Sequence, residues 1–493
     1  MASWSELDEN RALLFSTSVR FLPEFQPLKQ MALGIMVEQV LYINDDSDGL
    51  SAINIQQLLS DPDSRVRIPM RDIRDALRIL YAKQRVESIG DKNAYCLSKK
   101  VTDEIDSQFK MANAQFDQVI VRLFSHTKEG AETYKSPFLR LLGEVFADLG
   151  EESARLIKGD AGFKALVTPG LLEQLIDELI QSETSRIDPD NLRIGIIDFF
   201  EQDDPVFNEI KWAMSQNYFV VKALGLDSSG MLLSDKVFRD ATFCLDTNIA
   251  VCALESTHEH YNSFVTFAEV CKNLGIKLAI SKITLDELNA WIAYQKELMY
   301  KIVDEIPEAI ESEVSSLFFD KYKLKKAEGE VELDELFESF HNPKDTLEQK
   351  FGVSIINDHW FDNIFNNDTV RIAAEQLIFR YKELRNKSKR KQAALHDAAM
   401  LVWIKSQREN ENTNTWLLTI DTSLPSSIPA QLGRRQLAVT LDAVVQWMAP
   451  VVRRIEKREF KKFFSQMIRH RLLPQKRFMN PTDFVIFHEM HIS

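Results

Sequence analysis

The sequence predicts an α/β domain on a parallel sheet in its C-terminal half, preceded by a helical connector and a small domain of three helices and a hairpin. Three observations lead there. Short, apolar, β-prone runs at Thr242-Phe-Cys-Leu-Asp246, Ile276-Lys-Leu-Ala-Ile-Ser281, Trp416-Leu-Leu-Thr-Ile-Asp421 and Gln436-Leu-Ala-Val-Thr-Leu441 alternate with helical periodicity, as buried parallel strands do. From 101 to 235 the apolar spacing is mostly helical. From 27 to 100, three helical runs precede an alternating stretch.

At 493 residues the chain is too long for one ordinary core. With 45% hydrophobic and 27% charged residues it has the make-up of a soluble globular protein. No apolar run reaches the roughly 18 to 20 residues that span a bilayer, and no basic-then-apolar leader opens the chain, so a cytoplasmic protein without a membrane partner is expected. Cys96, Cys244, Cys252 and Cys271 have no metal-ligand spacing and read as reduced core thiols. A formal net charge of -14 disfavours indiscriminate nucleic-acid binding, which leaves any such contact to local basic patches.

Taken in order, residues 1–26 form an arm. The 27–100 domain has helices over 28–41, 53–59 and 70–83, then a strand pair over 85–97 turning at Gly90-Asp91. Three helices and a hairpin resemble a winged helix-turn-helix. Its third helix carries Arg71, Arg74 and Arg78 where a recognition helix meets phosphates or bases, although Asp72 and Asp75 dilute the basic face and the fold also serves as a protein adaptor. The 101–235 connector breaks at Pro169-Gly170, Asp188-Pro189-Asp190, Asp203-Asp204-Pro205 and Ser228-Ser229-Gly230 and shows no catalytic spacing.

The chemistry lies in the 236–450 domain. Asp246 ends the first strand, where a turn or N-cap acid is also expected. Thr284 with Glu287 reads as a capping box, and Asp397 as a first-turn acid favoured by the macrodipole. Asp421 ends another strand. In a parallel sheet, strand C-termini and helix N-termini share one edge, so Asp246, Glu287, Asp397 and Asp421 are expected to converge. Clustered carboxylates need a counter-charge, and a hard divalent cation, Mg²⁺ or Mn²⁺, supplies it while keeping waters for a phosphate substrate. The residues therefore point to a metal-dependent phosphodiester hydrolase.

Strand-Asp-Thr-Asn at 244–248, the helix-opening Thr284-x-x-Glu287, Asp397 followed by Ala398-Ala399, and Leu417-Leu-Thr-x-Asp421 together resemble the PIN-domain nucleases over roughly 238–450. The resemblance implies a PIN-like Rossmannoid sheet and one or two divalent ions on Asp246, Glu287, Asp397 and Asp421. It adds Asn248 and Thr419 as supporting residues, and water attack leaving 5′-phosphate and 3′-hydroxyl ends, usually on RNA. His396 orients substrate or a water in this reading; a helix-start histidine without a role is the plainer one. DNA, or a branched structure, is the rival substrate, and an inactive scaffold for nucleic acid or protein the rival class.

The chain departs from the compact family pattern between Glu287 and Asp397, where about 110 residues lie. A third strand within 347–356 and a helical insertion at about 298–345 account for them. Two basic stretches counter the acidic average: Arg385, Lys387, Lys389, Arg390 and Lys391 before the Asp397 helix, and a 451–493 tail that includes Arg453, Arg454, Lys457 and Arg458. Both are candidate paths for nucleic acid. The plainer readings are a solvated helix end and an amphipathic helix docking its Phe face. His258 and His260 read as a polar loop. An unrestrained ribonuclease is toxic, so the N-terminal half or an inhibitory or activating protein partner is expected to control the site.

Overall fold

Helix α1 (Leu28–Ile43), strand β1 (Leu50–Ser51), helices α2 (Ala52–Leu59) and α3 (Met70–Ala82), and strands β2 (Val86–Ile89) and β3 (Ala94–Leu97) open the structure. This is a computed structural model describing residues 28–44, 48–59, 68–89, 93–159, 171–182, 187–234, 236–258, 260–305, 316–329, 331–385, 389–433, 435–451 and 457–473. The turn at Gly90-Asp91 lies outside them. The three strands pair antiparallel in the order β1-β3-β2. Two-residue β1 escapes the sequence because it is too short to show a period. Along α3, Ile73, Ala76, Leu77 and Leu80 bury one stripe, which leaves Arg71, Arg74 and Arg78 exposed. Arg71 and Arg78 both reach Asp75, at 3.8 and 3.2 Å.

Five helices follow: α4 (Lys99–Phe124), α5 (Lys135–Lys158), α6 (Leu171–Ser182), α7 (Pro189–Glu201) and α8 (Pro205–Leu226). Two of the sequence breaks are helix starts. Asp188 accepts from Asp190 N, Asp204 accepts from Val206 N and Phe207 N, and a proline holds the first helical position each time. Helices α5 and α8 approach so closely at Gly150 that a Cβ there would lie 2.8 Å from the Phe219 backbone nitrogen.

The chain then enters a second compact unit, Phe238–Leu441; the first holds the described residues up to Val237 together with Asp442–Leu473. The second unit comprises β4 (Thr242–Leu245), α9 (Thr247–Leu254), α10 (Tyr261–Asn273), β5 (Lys277–Ser281), α11 (Lys282–Glu305), α12 (Leu317–Glu328), α13 (Pro343–Phe351), β6 (Ser354–Ile356), α14 (Asp368–Arg385), α15 (Lys391–Asn410), β7 (Thr415–Thr419), α16 (Leu424–Ser427) and β8 (Ala438–Thr440). Its strands form one parallel sheet in the order β6-β5-β4-β7-β8, an α/β fold. The third strand is shorter than the sequence suggests. Residues Pro343–Phe351 are helical, Gly352 ends the helix at φ +66°, and only Ser354–Ile356 pair.

The start of the expected insertion at about 298–345 falls within α11, which runs unbroken to Glu305. The later part of the insertion packs Phe318 and Phe340 against Trp291, with Phe337 against Phe318. Buried Glu255, just past α9, accepts from Lys321 (2.9 Å) and Ser339 (2.7 Å).

In its described residues the tail follows the plainer reading of a helix docking its Phe face. Helix α17 (Leu441–Val451) is followed, in the described residues, by α18 (Lys457–Leu472), and both contribute to the helical unit. Phe464 is buried edge-on against Trp212, with centroids 5.5 Å apart. Lys461 pairs with Glu209, Lys462 with Asp203 (2.7 Å), and buried Arg471 with Glu152 and with Asp442 (2.5 Å). Of these, only the Arg471 pairs are buried; Lys462 and Asp203 are both about half exposed. Arg453 and Arg454 lie outside the described residues, and of Lys457 and Arg458 only the backbone is described. The four cysteines are free thiols, three of them buried, and among the described residues no helix is long and apolar enough to cross a membrane.

Candidate active site

Leu245 of β4 and Leu418 of β7 are register partners, so Asp246 and Thr419, one residue further along each strand, lie side by side. From β4 the chain moves to β5 and β6 on one side of the sheet, and from β7 it moves to β8 on the other. The direction of the chain reverses between β4 and β7, and the strand C-termini at such a switch point are where open α/β sheets bind ligands.

Asp246 is fixed from three sides. Its Oδ1 accepts from Thr247 N (2.7 Å), and its Oδ2 accepts from the Thr419 hydroxyl (2.6 Å) and the Asn248 amide (2.9 Å). Asn248 Oδ1 accepts in turn from Ile420 N at 3.2 Å, which ties the start of α9 to the end of β7. Asp246 does cap α9, as the plain reading expects, yet it is only 7% exposed. Burial, with Asp397 nearby, pushes its carboxyl up to about 6.

Asp397 is not a first-turn acid. Helix α15 begins at Lys391, so Asp397 sits in the second turn, beyond the reach of the macrodipole, and is 5% exposed. His396 beside it is also buried, so both point into the protein rather than one facing solvent. His396 Nε2 lies 3.0 Å from Thr284 Oγ1, which lies 2.8 Å from Ser281 Oγ, while Nδ1 faces Glu287 Oε2 at 3.2 Å and Asp397 Oδ1 at 3.5 Å. Burial disfavours a charged imidazole, but Asp397 and the other carboxylates around it outweigh that and raise the His396 pKa. Burial also disfavours ionised Asp397, yet His396 and Lys389 hold that carboxyl below its usual range. The histidine thus has a place at the centre of the cluster, which its position near a helix start did not disclose.

Glu287 is not the acid of a capping box either. Ser281 Oγ accepts from Thr284 N at 3.1 Å, which puts the cap three residues ahead of Thr284, and Glu287 lies in the second turn of α11. Its carboxylate takes the Thr247 hydroxyl and faces His396. Asp421, two residues beyond β7, accepts from Ser423 N (2.9 Å) on Oδ1 and from the Tyr381 hydroxyl (3.0 Å) on Oδ2.

Ligand atoms of Asp246, His396 and Asp397 lie within 4.8 Å of one another. Glu287 adjoins them through His396. Asp421 adjoins them through Lys389, whose ammonium pairs with Asp397 and lies 3.5 Å from Asp421. Lys389 is therefore a member of the acidic cluster and not, as the basic run suggested, a phosphate contact; its side chain is 14% exposed. Arg390 and Lys391 are exposed at the start of α15. Lys387 lies outside the described residues, and of Arg385 only the backbone is described.

A divalent cation fits this donor set. Two carboxylates and an imidazole suit Mn²⁺ well and Mg²⁺ through the oxygens. His396 Nδ1 and Asp397 Oδ2 are buried and make no hydrogen bond, only the ion-pair approaches described above. No protein-family model, no curated protein and no solved structure matches the chain.

Proposed function

We propose that the α/β unit is a metal-dependent nuclease of PIN type that hydrolyses phosphodiester bonds in single-stranded RNA. The observation that carries this reading is the convergence of Asp246, His396 and Asp397, from two sequence-distant elements, at the sheet edge where the strand order reverses direction. Asp246 and Asp397 would hold Mn²⁺ or Mg²⁺, with His396 beside them. When bound, the ion supplies a Lewis acid that activates water and neutralises charge on the phosphate.

The chain's own groups prepare that chemistry. Thr419 and Asn248 fix the Asp246 carboxylate, so its free lone pairs face one way. Thr284 holds the His396 ring, and Glu287 draws a proton to Nδ1. Exposed Arg390 and Lys391, at the start of the helix that bears Asp397, offer positive charge to a polyanion near the acids.

A second reading, an inactive scaffold, is favoured by one observation: Lys389 already offsets part of the acidic charge. The three-helix domain supports a DNA substrate if it is a winged helix using Arg71 and Arg74.

Cleavage of labelled single-stranded RNA and DNA by the full chain, with Mn²⁺, Mg²⁺ or EDTA and beside Asp246→Asn and Asp397→Asn, tests the reading. Metal-dependent cutting lost in both variants supports a nuclease, and the preferred polymer identifies the substrate. Binding without cutting, unchanged in both variants, supports the scaffold.

A further inference from the structure

Lys389 is held by three elements at once. Its ammonium pairs with Asp397 on α15, lies 3.5 Å from Asp421 beyond β7, and sits 4.8 Å from the centre of the Tyr381 ring on α14. The Tyr381 hydroxyl donates to the same Asp421 oxygen, Oδ2, that faces the lysine. Asp421 is thus occupied on both oxygens, by Ser423 N on Oδ1 and by Tyr381 and Lys389 on Oδ2.

The cluster is accordingly unequal in its two halves. On the Asp246 side the bonding is from neutral donors, a hydroxyl, a side-chain amide and a backbone amide, and none brings a positive charge. A cation entering there meets carboxylate oxygens with lone pairs to spare. Between Asp397 and Asp421 a positive charge is already in place. A divalent ion entering there must displace the ammonium or bear its repulsion at short range, where like charges cost most.

We propose that Lys389 is a built-in cation standing between Asp397 and Asp421 where a second divalent ion would otherwise bind, so that the site takes a single ion on the Asp246–Asp397 side. This rests on the metal-dependent reading above and specifies it: one exchangeable cation and one covalently attached one. Tyr381 is a positioning residue, since its ring and hydroxyl hold the lysine and Asp421 together. Lysine suits the role because an ammonium on a flexible stem is a compact point charge with three donors.

The test counts bound ions and does not need turnover. The full chain is titrated with Mn²⁺ alone at fixed pH, with free Mn²⁺ followed by electron paramagnetic resonance and binding by calorimetry. The expected stoichiometry is one ion for the wild type and two for Lys389→Met, falling back to one in Lys389→Met with Asp421→Asn. Asp421→Asn alone should keep one ion at an affinity within about threefold of wild type; this variant carries the test if Lys389→Met does not fold by circular dichroism. Two ions on the wild type, one ion of unchanged affinity on folded Lys389→Met, or loss of the ion in Asp421→Asn each overturns the assignment while leaving the metal-dependent reading intact. A wild type that binds no Mn²⁺ overturns both.

Discussion

Thr419 donates a 2.6 Å hydrogen bond to Asp246 across 173 residues of sequence. The bond exists because two parallel strands share a register, Leu245 opposite Leu418, and each is followed by a polar residue. It makes the orientation of the most buried strand-end carboxylate a property of the sheet. Thr419→Val keeps the shape and removes the donor, and Asn248→Ala removes the second. Each variant is expected to weaken Mn²⁺ binding by about 10- to 100-fold, the usual effect of losing a partner behind a metal ligand. Titration of the folded variants checks it, and affinities unchanged in both would count against Asp246 as a ligand.

Arg390 and Lys391 stand exposed beside the cluster. Their joint replacement by glutamine, in an Asp246→Asn background that prevents cutting, should weaken single-stranded RNA binding. The slope of log affinity against log salt should become shallower by about 1.4, because each phosphate contact on a single strand contributes about 0.7. Anisotropy at four or five salt concentrations measures it; an unchanged slope removes these residues from the path.

Lys211 is enclosed in the helical unit. Its ammonium donates to Ser465 Oγ (2.8 Å) and Phe200 O (3.2 Å), and burial lowers its pKa to about 7 despite Asp203 and Asp204 nearby. A lysine whose folded pKa lies below its unfolded value binds more protons unfolded than folded, so stability rises with pH between about 7 and the ordinary value of 10.5. Below about 7 the cost of burying the charge is fully present. Wild-type melting temperature corrected for other groups should therefore climb from pH 7 to 9, with Lys211→Met showing a flatter profile. Parallel profiles would mean the ammonium is well solvated.

Arg471 meets Glu152 and Asp442 in the interior, and all three are under one-tenth exposed. Removing the guanidinium in Arg471→Met leaves two buried carboxylates facing each other. A loss of about 3 to 5 kcal/mol is expected, as when one partner of a buried ion pair is deleted. Denaturant unfolding followed by tryptophan fluorescence should show the shift.

Much of the α/β unit is legible in sequence, because Thr242–Leu245 and Thr415–Thr419 are central strands buried on both faces and so nearly continuous apolar runs. Their following polar residues announce the site. What the sequence hides is how the acids are neutralised. Lys389 reads as one more residue of a basic run until α14 and α15 bring Tyr381, Asp397 and Asp421 around it, and His396 reads as an idle helix-start residue until Thr284 and Glu287 close on it. The helix starts were misplaced for a related reason. Thr284 with Glu287 matches a capping pattern that Ser281 already fulfils, so local motif and three-dimensional partner disagree. The Phe face of α18 is legible as a docking face, but its ionic partner is not, since Arg471 and Glu152 lie 319 residues apart.

That last pairing bears on how the chain is made. Glu152 leaves the ribosome long before Arg471, and the whole of Phe238–Leu441 is synthesised in between. The interrupted helical unit must hold a buried acid without its partner while the α/β unit is completed and free to fold. Translation that stops after Leu441 but before α18 yields a finished α/β unit attached to an unsealed helical one. Such a fragment offers proteases an open target, so only chains read through to Arg471 would keep their candidate nuclease.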